Sequence, residues 1–95
     1  MNVVGRGRID DFSKSHADAR DPLETWFLEA QAAAWQTSQD VKNRYASASF
    51  LKGNQVIFNI KGNDYRLATK IAYDVQTVLI TWVGTHAEYS KKKFI

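Results

Sequence analysis

The hydrophobic pattern of this chain changes period once, near its middle, and that change restricts the fold more than any other feature. In the first half the apolar residues recur at helical spacing. Leu23, Phe27, Ala30 and Ala34, with Glu24, Gln31 and other polar residues elsewhere, predict a helix over residues 22–35. Asp21-Pro22-Leu23-Glu24 reads as its start: an N-cap, a proline at the first helical position and a carboxylate three residues after the cap. Arg8 to His16 is a weaker helical segment with Ile9 and Phe12 on one side, and Asn2–Val4 fits a short strand. Thr37-Ser38-Gln39-Asp40 is a further cap, opening one or two turns through Arg44.

The second half has period 2. Ala48 to Leu51 fits a short strand, and Val56, Phe58 and Ile60 alternate with Ile57, Asn59 and Lys61. Gly62-Asn63 then offers a two-residue hairpin loop able to take positive φ, and Tyr65 to Ala72 alternates again. Thr77 to Val83, rich in β-branched residues, is a more buried strand. Helices followed by a hairpin-linked sheet is an α+β pattern. Residues opposite each other share a face, so this loop places Val56, Phe58, Ile60, Tyr65, Leu67, Thr69 and Ile71 towards the helix. Gln55, Ile57, Asn59, Lys61, Asp64, Arg66, Ala68 and Lys70 fall on the other side, expected to be open to solvent.

Charge is divided along the same line. Residues 1–40 carry four basic residues against seven acids, and residues 41–95 carry nine against three. A basic half points to an anionic ligand, or to no more than a solvated basic surface. Arg66 and Lys70 stand about 13 Å apart on one strand face, a spacing suited to phosphates along a nucleic-acid strand. With 95 residues, 44% hydrophobic and 24% charged, the chain has the makings of one domain with one core. The absence of cysteine excludes disulfides, thiolate metal sites and a cysteine nucleophile. No apolar run approaches the roughly 18 residues that would cross a bilayer, and the N-terminus has no signal-like apolar stretch, so a cytoplasmic protein is expected.

Thr85 and Glu88 form a capping box that sets His86 in the first turn of a short helix, with Tyr89 on the same helix. A histidine beside the free N–H groups of a helix start is a candidate general acid or base next to a phosphate; a lone exposed histidine is also often inert. His16 reads as a helix-end residue. Two histidines of unrelated context supply no metal-ligand set. The Lys91-Lys92-Lys93 run reads as a solvated tail or a rest for a phosphate backbone.

Asp40-Val41-Lys42-Asn43-Arg44-Tyr45, Ala48-Ser49-Phe50-Leu51, Val56-Ile57-Phe58-Asn59-Ile60, Gly62-Asn63-Asp64-Tyr65-Arg66-Leu67 and Gly84-Thr85-His86-Ala87-Glu88-Tyr89 run in order along the second half. In these blocks the chain resembles the HigB-type toxins of type II toxin–antitoxin systems, a branch of the RelE-like superfamily. The resemblance implies an α+β fold over residues 1–95, with N-terminal helices packed on one face of a small, mainly antiparallel twisted sheet and a short C-terminal helix. It implies a ribosome-dependent, metal-independent endoribonuclease acting on translated mRNA without a cofactor. The implied partners are a helix-turn-helix, HigA-like antitoxin and, through that complex, promoter DNA. Its polar motif positions fall on Asn59, Asn63, Arg66, Lys70, Thr85, His86 and Tyr89. In that chemistry Arg66 would meet the phosphorane oxygens, Lys70 a neighbouring phosphate and His86 the moving proton. Tyr89 would assist His86 or stack on a base, and Asn59, Asn63, Lys61 and Thr85 would contact RNA. The family commonly has an aspartate after the final tyrosine, where this chain has Ser90. A non-catalytic RNA- or protein-binding module on the same fold is the alternative.

Overall fold

A computed structural model describes residues 1–92; Lys93 of the basic run lies outside them. The chain runs β1 (Asn2–Val4), α1 (Arg6–Ser15), a 3-10 turn (Ala17–Ala19), α2 (Arg20–Ala32), α3 (Ser38–Arg44), β2 (Ser49–Leu51), β3 (Gln55–Ile60), β4 (Tyr65–Ala72), β5 (Thr77–Thr85) and α4 (His86–Lys91). The strands form one five-stranded sheet in the order β1-β5-β4-β3-β2. β1 lies parallel to β5 and the other neighbours are antiparallel, so the expected α+β architecture is present. Gly5 makes the reversal from β1 into α1: its φ is 103°, and a Cβ there would come within 2.9 Å of the Ile80 carbonyl oxygen.

The capping boxes at Thr37/Asp40 and Thr85/Glu88 both form, and they start α3 and α4. The start of α2 differs from the expectation. The 3-10 turn feeds directly into it, so Asp21 and Pro22 lie in the first turn and Ala19 occupies the cap position without a side-chain bond. The proline is tolerated there because the first-turn N–H groups have no helical partner. At the other end α2 stops at Ala32, and Ala34 is exposed rather than on the core face. The chain turns out of the helix so that Trp35 can enter the core, where its ring lies 6.4 Å from Phe58 and 6.2 Å from Tyr45.

The core fills the space between α2 and the first sheet face. Leu23, Trp26, Phe27 and Ala30 meet the row Val56, Phe58, Ile60, Leu67 and Ile71, all buried as the alternation requires. Phe58 is the hub, with Trp26 and Tyr45 at 5.3 and 5.1 Å, and truncating such a residue to alanine costs about 3–5 kcal/mol.

The β3–β4 register is the expected one, Ile60↔Tyr65 and Asn59↔Arg66. The loop itself differs: the left-handed residues are Lys61 (φ 53°) and Gly62 (φ 63°), not Gly62 and Asn63. The Asp64 N–H donates to the Lys61 carbonyl at 3.2 Å, so the closing bond still spans Gly62-Asn63 as expected. The second sheet face is not the open polar surface the alternation suggested, since Gln55, Ile57, Arg66 and Ala68 are buried.

Candidate active site

The register Tyr65↔Thr85 and Arg66↔Gly84 carries the end of β5, and the helix α4 capped by Thr85, alongside the β3–β4 loop. The His86 N–H donates to the Asp64 carbonyl at 2.9 Å, and the Glu88 N–H donates to the Thr85 hydroxyl at 3.1 Å. The start of α4 is therefore not the full array of free N–H groups expected for a phosphate: its first and third amides are spent on joining the helix to the hairpin and on its own cap.

Arg66 is the centre of the arrangement. Only 7% exposed, it is not the solvent-facing fork that its alternation predicts. Its Nη1 donates to the carbonyls of Asn63 and Tyr65, both at 3.1 Å. Its Nη2 donates to Asn63 Oδ1 at 2.6 Å and meets His86 Nδ1 at 2.8 Å. The terminal guanidinium N–H groups are thus committed within the protein, so the fork does not stand free to grip a phosphorane. The physical reason is that Gly84 stands opposite Arg66 with the Trp82 indole lying over it, while α4 brings Tyr89 and His86 against the guanidinium. The ring of Tyr89 lies 5.6 Å from the guanidinium carbon and closes that side.

This contact assigns the histidine tautomer. Guanidinium donates and never accepts, so Nδ1 of His86 is the acceptor and the ring proton sits on Nε2. His86 is exposed, and Nε2 lies on the ring edge away from Arg66. The ring offers a hydrogen-bond donor backed by a buried cation.

A cleft of about 500 Å³ opens beside this pair, lined by His16, Asn63, Asp64, Tyr65, Thr85, His86 and Ala87. His16 was read from the sequence as a mere helix end, yet both histidines of the chain line this one cleft. Its ring stacks on Phe12 at 4.1 Å and meets Tyr65 edge-on at 5.7 Å. The i,i+4 spacing of Phe12 and His16 was visible in the sequence; that α1 ends beside the β3–β4 loop was not.

The other candidates scatter. Lys61 pairs with Asp18 at 2.7 Å and lies 3.8 Å from Asp64, while the Tyr65 hydroxyl also donates to Asp18. This network ties the 3-10 turn to the hairpin and uses the lysine within the fold. The Asn59 amide reaches the Ser47 carbonyl at 3.4 Å, not Arg66, its cross-strand neighbour. Lys70 is exposed and lines a different cleft, with Gly53, Asn54 and Leu79 at the far end of β4. Ser90, in place of the family's aspartate, donates its hydroxyl to the His86 carbonyl at 3.0 Å. Among the described residues, no three His, Cys, Asp or Glu side chains converge to hold a metal ion.

The electrostatics follow from these bonds. The Asp18 carboxyl is held below its ordinary range, first by the hydrogen bond from Lys61 and then by that from Tyr65. Asp18 in turn raises Lys61 and the Tyr65 phenol, in each case first through its hydrogen bond. Glu88 is lowered chiefly by the Thr85 backbone N–H it accepts, with a smaller part from the Thr85 side chain.

The α+β fold is that of a RelE-like toxic protein, and the family comparison agrees. Residues 19–92 match the family model of the HigB toxin, the RelE-like toxic component of a toxin–antitoxin system, and the chain belongs to that family. No curated protein matches the chain at a significant level. As a toxic component it is one half of a pair whose other half is an antitoxin. No helix among the described residues is long and apolar enough to cross a membrane.

Proposed function

We propose that this protein is a metal-independent endoribonuclease that cuts translated mRNA on the ribosome. The observation that carries the reading is the Arg66–His86 pair at the edge of a cleft holding both histidines, in a chain of the HigB toxin family. RNA supplies its own nucleophile: the 2′-OH attacks the adjacent phosphorus, and the protein must stabilise the added negative charge and move a proton. The His86 Nε2–H is a donor for that charge, Arg66 holds the ring and adds positive potential behind it, and imidazole supplies the proton chemistry.

Dependence on the ribosome follows from how the cations are used. Arg66 and Lys61, both expected on an open basic face, are bound into the protein. Little free charge is left at this end of the sheet to hold naked RNA at physiological salt, so the ribosome supplies positioning and most of the binding energy. The antitoxin expected from the family is a helix-turn-helix protein, HigA-like, that neutralises the toxin and with it binds promoter DNA, in the cytoplasm.

The test is cleavage by purified protein of one transcript, naked and in a translating extract, mapped by primer extension. In-frame cuts confined to the translated RNA support the reading. Equal cutting of naked RNA removes the ribosome from it. No cutting of either, with the protein still bound to RNA or ribosomes, replaces it with a binding module. Co-expression with a neighbour-encoded helix-turn-helix protein should abolish growth arrest and yield a co-purifying complex.

A further inference from the structure

We propose that His16 is the proton-accepting catalytic residue of this cleft, its Nε2 taking the proton of the RNA 2′-OH, while His86 acts as a fixed hydrogen-bond donor. The inference rests on the ribonuclease reading and assigns the step that reading leaves open.

The two rings are held in opposite tautomers. His86 receives the Arg66 guanidinium at Nδ1, so its Nε2 carries the proton. To accept a proton from substrate it would have to give up either that proton or the 2.8 Å bond from Arg66. His16 is arranged the other way. Its Nδ1 faces the Phe12 carbonyl oxygen at 3.4 Å, and a carbonyl accepts only, so Nδ1 bears the hydrogen and Nε2 the lone pair. The Phe12 stack and the Tyr65 edge contact fix the ring plane, as a positioned general base requires. Other bases of this cleft are engaged: the Tyr65 hydroxyl donates to Asp18, and Asp64 lies 3.8 Å from the Lys61 ammonium. A donor and an acceptor imidazole therefore border one space of a size suited to a nucleotide.

The step balances as follows. The O2′–P bond forms as the O2′ proton passes to His16 Nε2, and His86 Nε2–H donates a hydrogen bond to a non-bridging phosphate oxygen. The P–O5′ bond breaks with its electron pair going to O5′, which takes a proton from solvent water. A 2′,3′-cyclic phosphate and a 5′-hydroxyl remain, and the His16 imidazolium returns its proton to the hydroxide left in solvent.

The experiment is single-turnover cleavage on programmed ribosomes by wild type, His16→Phe, His16→Ala and Asp64→Asn. Each acts on an ordinary mRNA and on one with a 5′-bridging phosphorothiolate, whose leaving group needs no proton. His16→Phe keeps the stack on Phe12 but has no base. It should cut about 100-fold or more slowly, the scale of a lost general base. The deficit should persist on the phosphorothiolate, and added imidazole should restore part of the rate to His16→Ala. If His16→Phe folds poorly, that rescue decides. The proposal is overturned if His16→Phe cuts within a few-fold of wild type, or if the phosphorothiolate restores its rate, which would make His16 the acid. It is equally overturned if Asp64→Asn carries the persistent loss or if imidazole rescues nothing. A wild type that cuts neither RNA sinks the ribonuclease reading itself; a cutting wild type with an active His16→Phe removes only the role of His16.

Discussion

The guanidinium of Arg66, on β4, donates to Nδ1 of His86, on α4, at 2.8 Å, and so couples the sheet to the C-terminal helix and sets the histidine tautomer. Two consequences can be measured. Arg66→Ala leaves the buried Tyr65 carbonyl without its donor and removes the bonds to Asn63, which should cost about 1–3 kcal/mol in urea unfolding. In ¹⁵N NMR, His86 of the wild type should show an unprotonated Nδ1 and a protonated Nε2. In Arg66→Ala the two tautomers should mix. An unchanged His86 spectrum would show that the contact does not hold the ring.

Stability should fall in acid through Asp18. Its folded-state pKa lies below the ordinary value, so the stabilisation is fully present above that value and is lost as pH falls through the folded one. Lys61 and Tyr65 are raised, so their contribution is present below their ordinary values and is lost as pH rises through the raised ones. Melting temperature should therefore decline from about pH 4 downward and again in strong alkali. Asp18→Asn should lower the neutral plateau and flatten the acid limb, read by circular dichroism across pH.

Gly84 is buried opposite Arg66, and a Cβ there would lie 2.4 Å from the Trp82 ring carbons Cη2 and Cζ2. The indole must shift, and it packs against Tyr89 at 6.4 Å. Gly84→Ala should destabilise by about 1–3 kcal/mol, as overpacking does. It should also lower cleavage by more than the unfolded fraction explains, because the Tyr89 and Arg66 sides of the site move together. Urea unfolding with cleavage measured on the same samples separates the two effects.

Lys70 stands at the other end of β4 from His86 and is exposed. If it meets RNA at all, it does so as a point charge on the backbone. Lys70→Ala should weaken binding to programmed ribosomes about equally for different codons and leave the saturating rate unaltered. The dependence of log affinity on log salt should become shallower by about 0.7, the share of one single-strand phosphate contact. A fall in the saturating rate would instead place Lys70 in the chemistry.

Most local features were legible in the sequence, though the bounds of α2 and the left-handed positions of the β3–β4 loop were not. Both capping boxes are four-residue patterns, the face of α2 follows from the spacing of Leu23, Phe27 and Ala30, and the hairpin register follows from Ile60 and Tyr65 flanking the loop. Each depends on neighbours within a few residues, where helical or strand period dictates geometry. The family could also be read there, because its blocks keep their order along the chain.

What only the tertiary structure decided is how those pieces face one another. Alternation placed Arg66 on the outer side of the sheet, and it is there; whether that side is wet depends on where the chain goes after β5. Because α4 brings Tyr89 and His86 against it, the arginine is enclosed and becomes the holder of His86. His16, seventy residues before His86 in the chain, joins it only because α1 ends against the β3–β4 loop. Lys61 is drawn to Asp18 by the same approach. Period and propensity act over a few residues, whereas these contacts join distant segments that no short window of sequence contains.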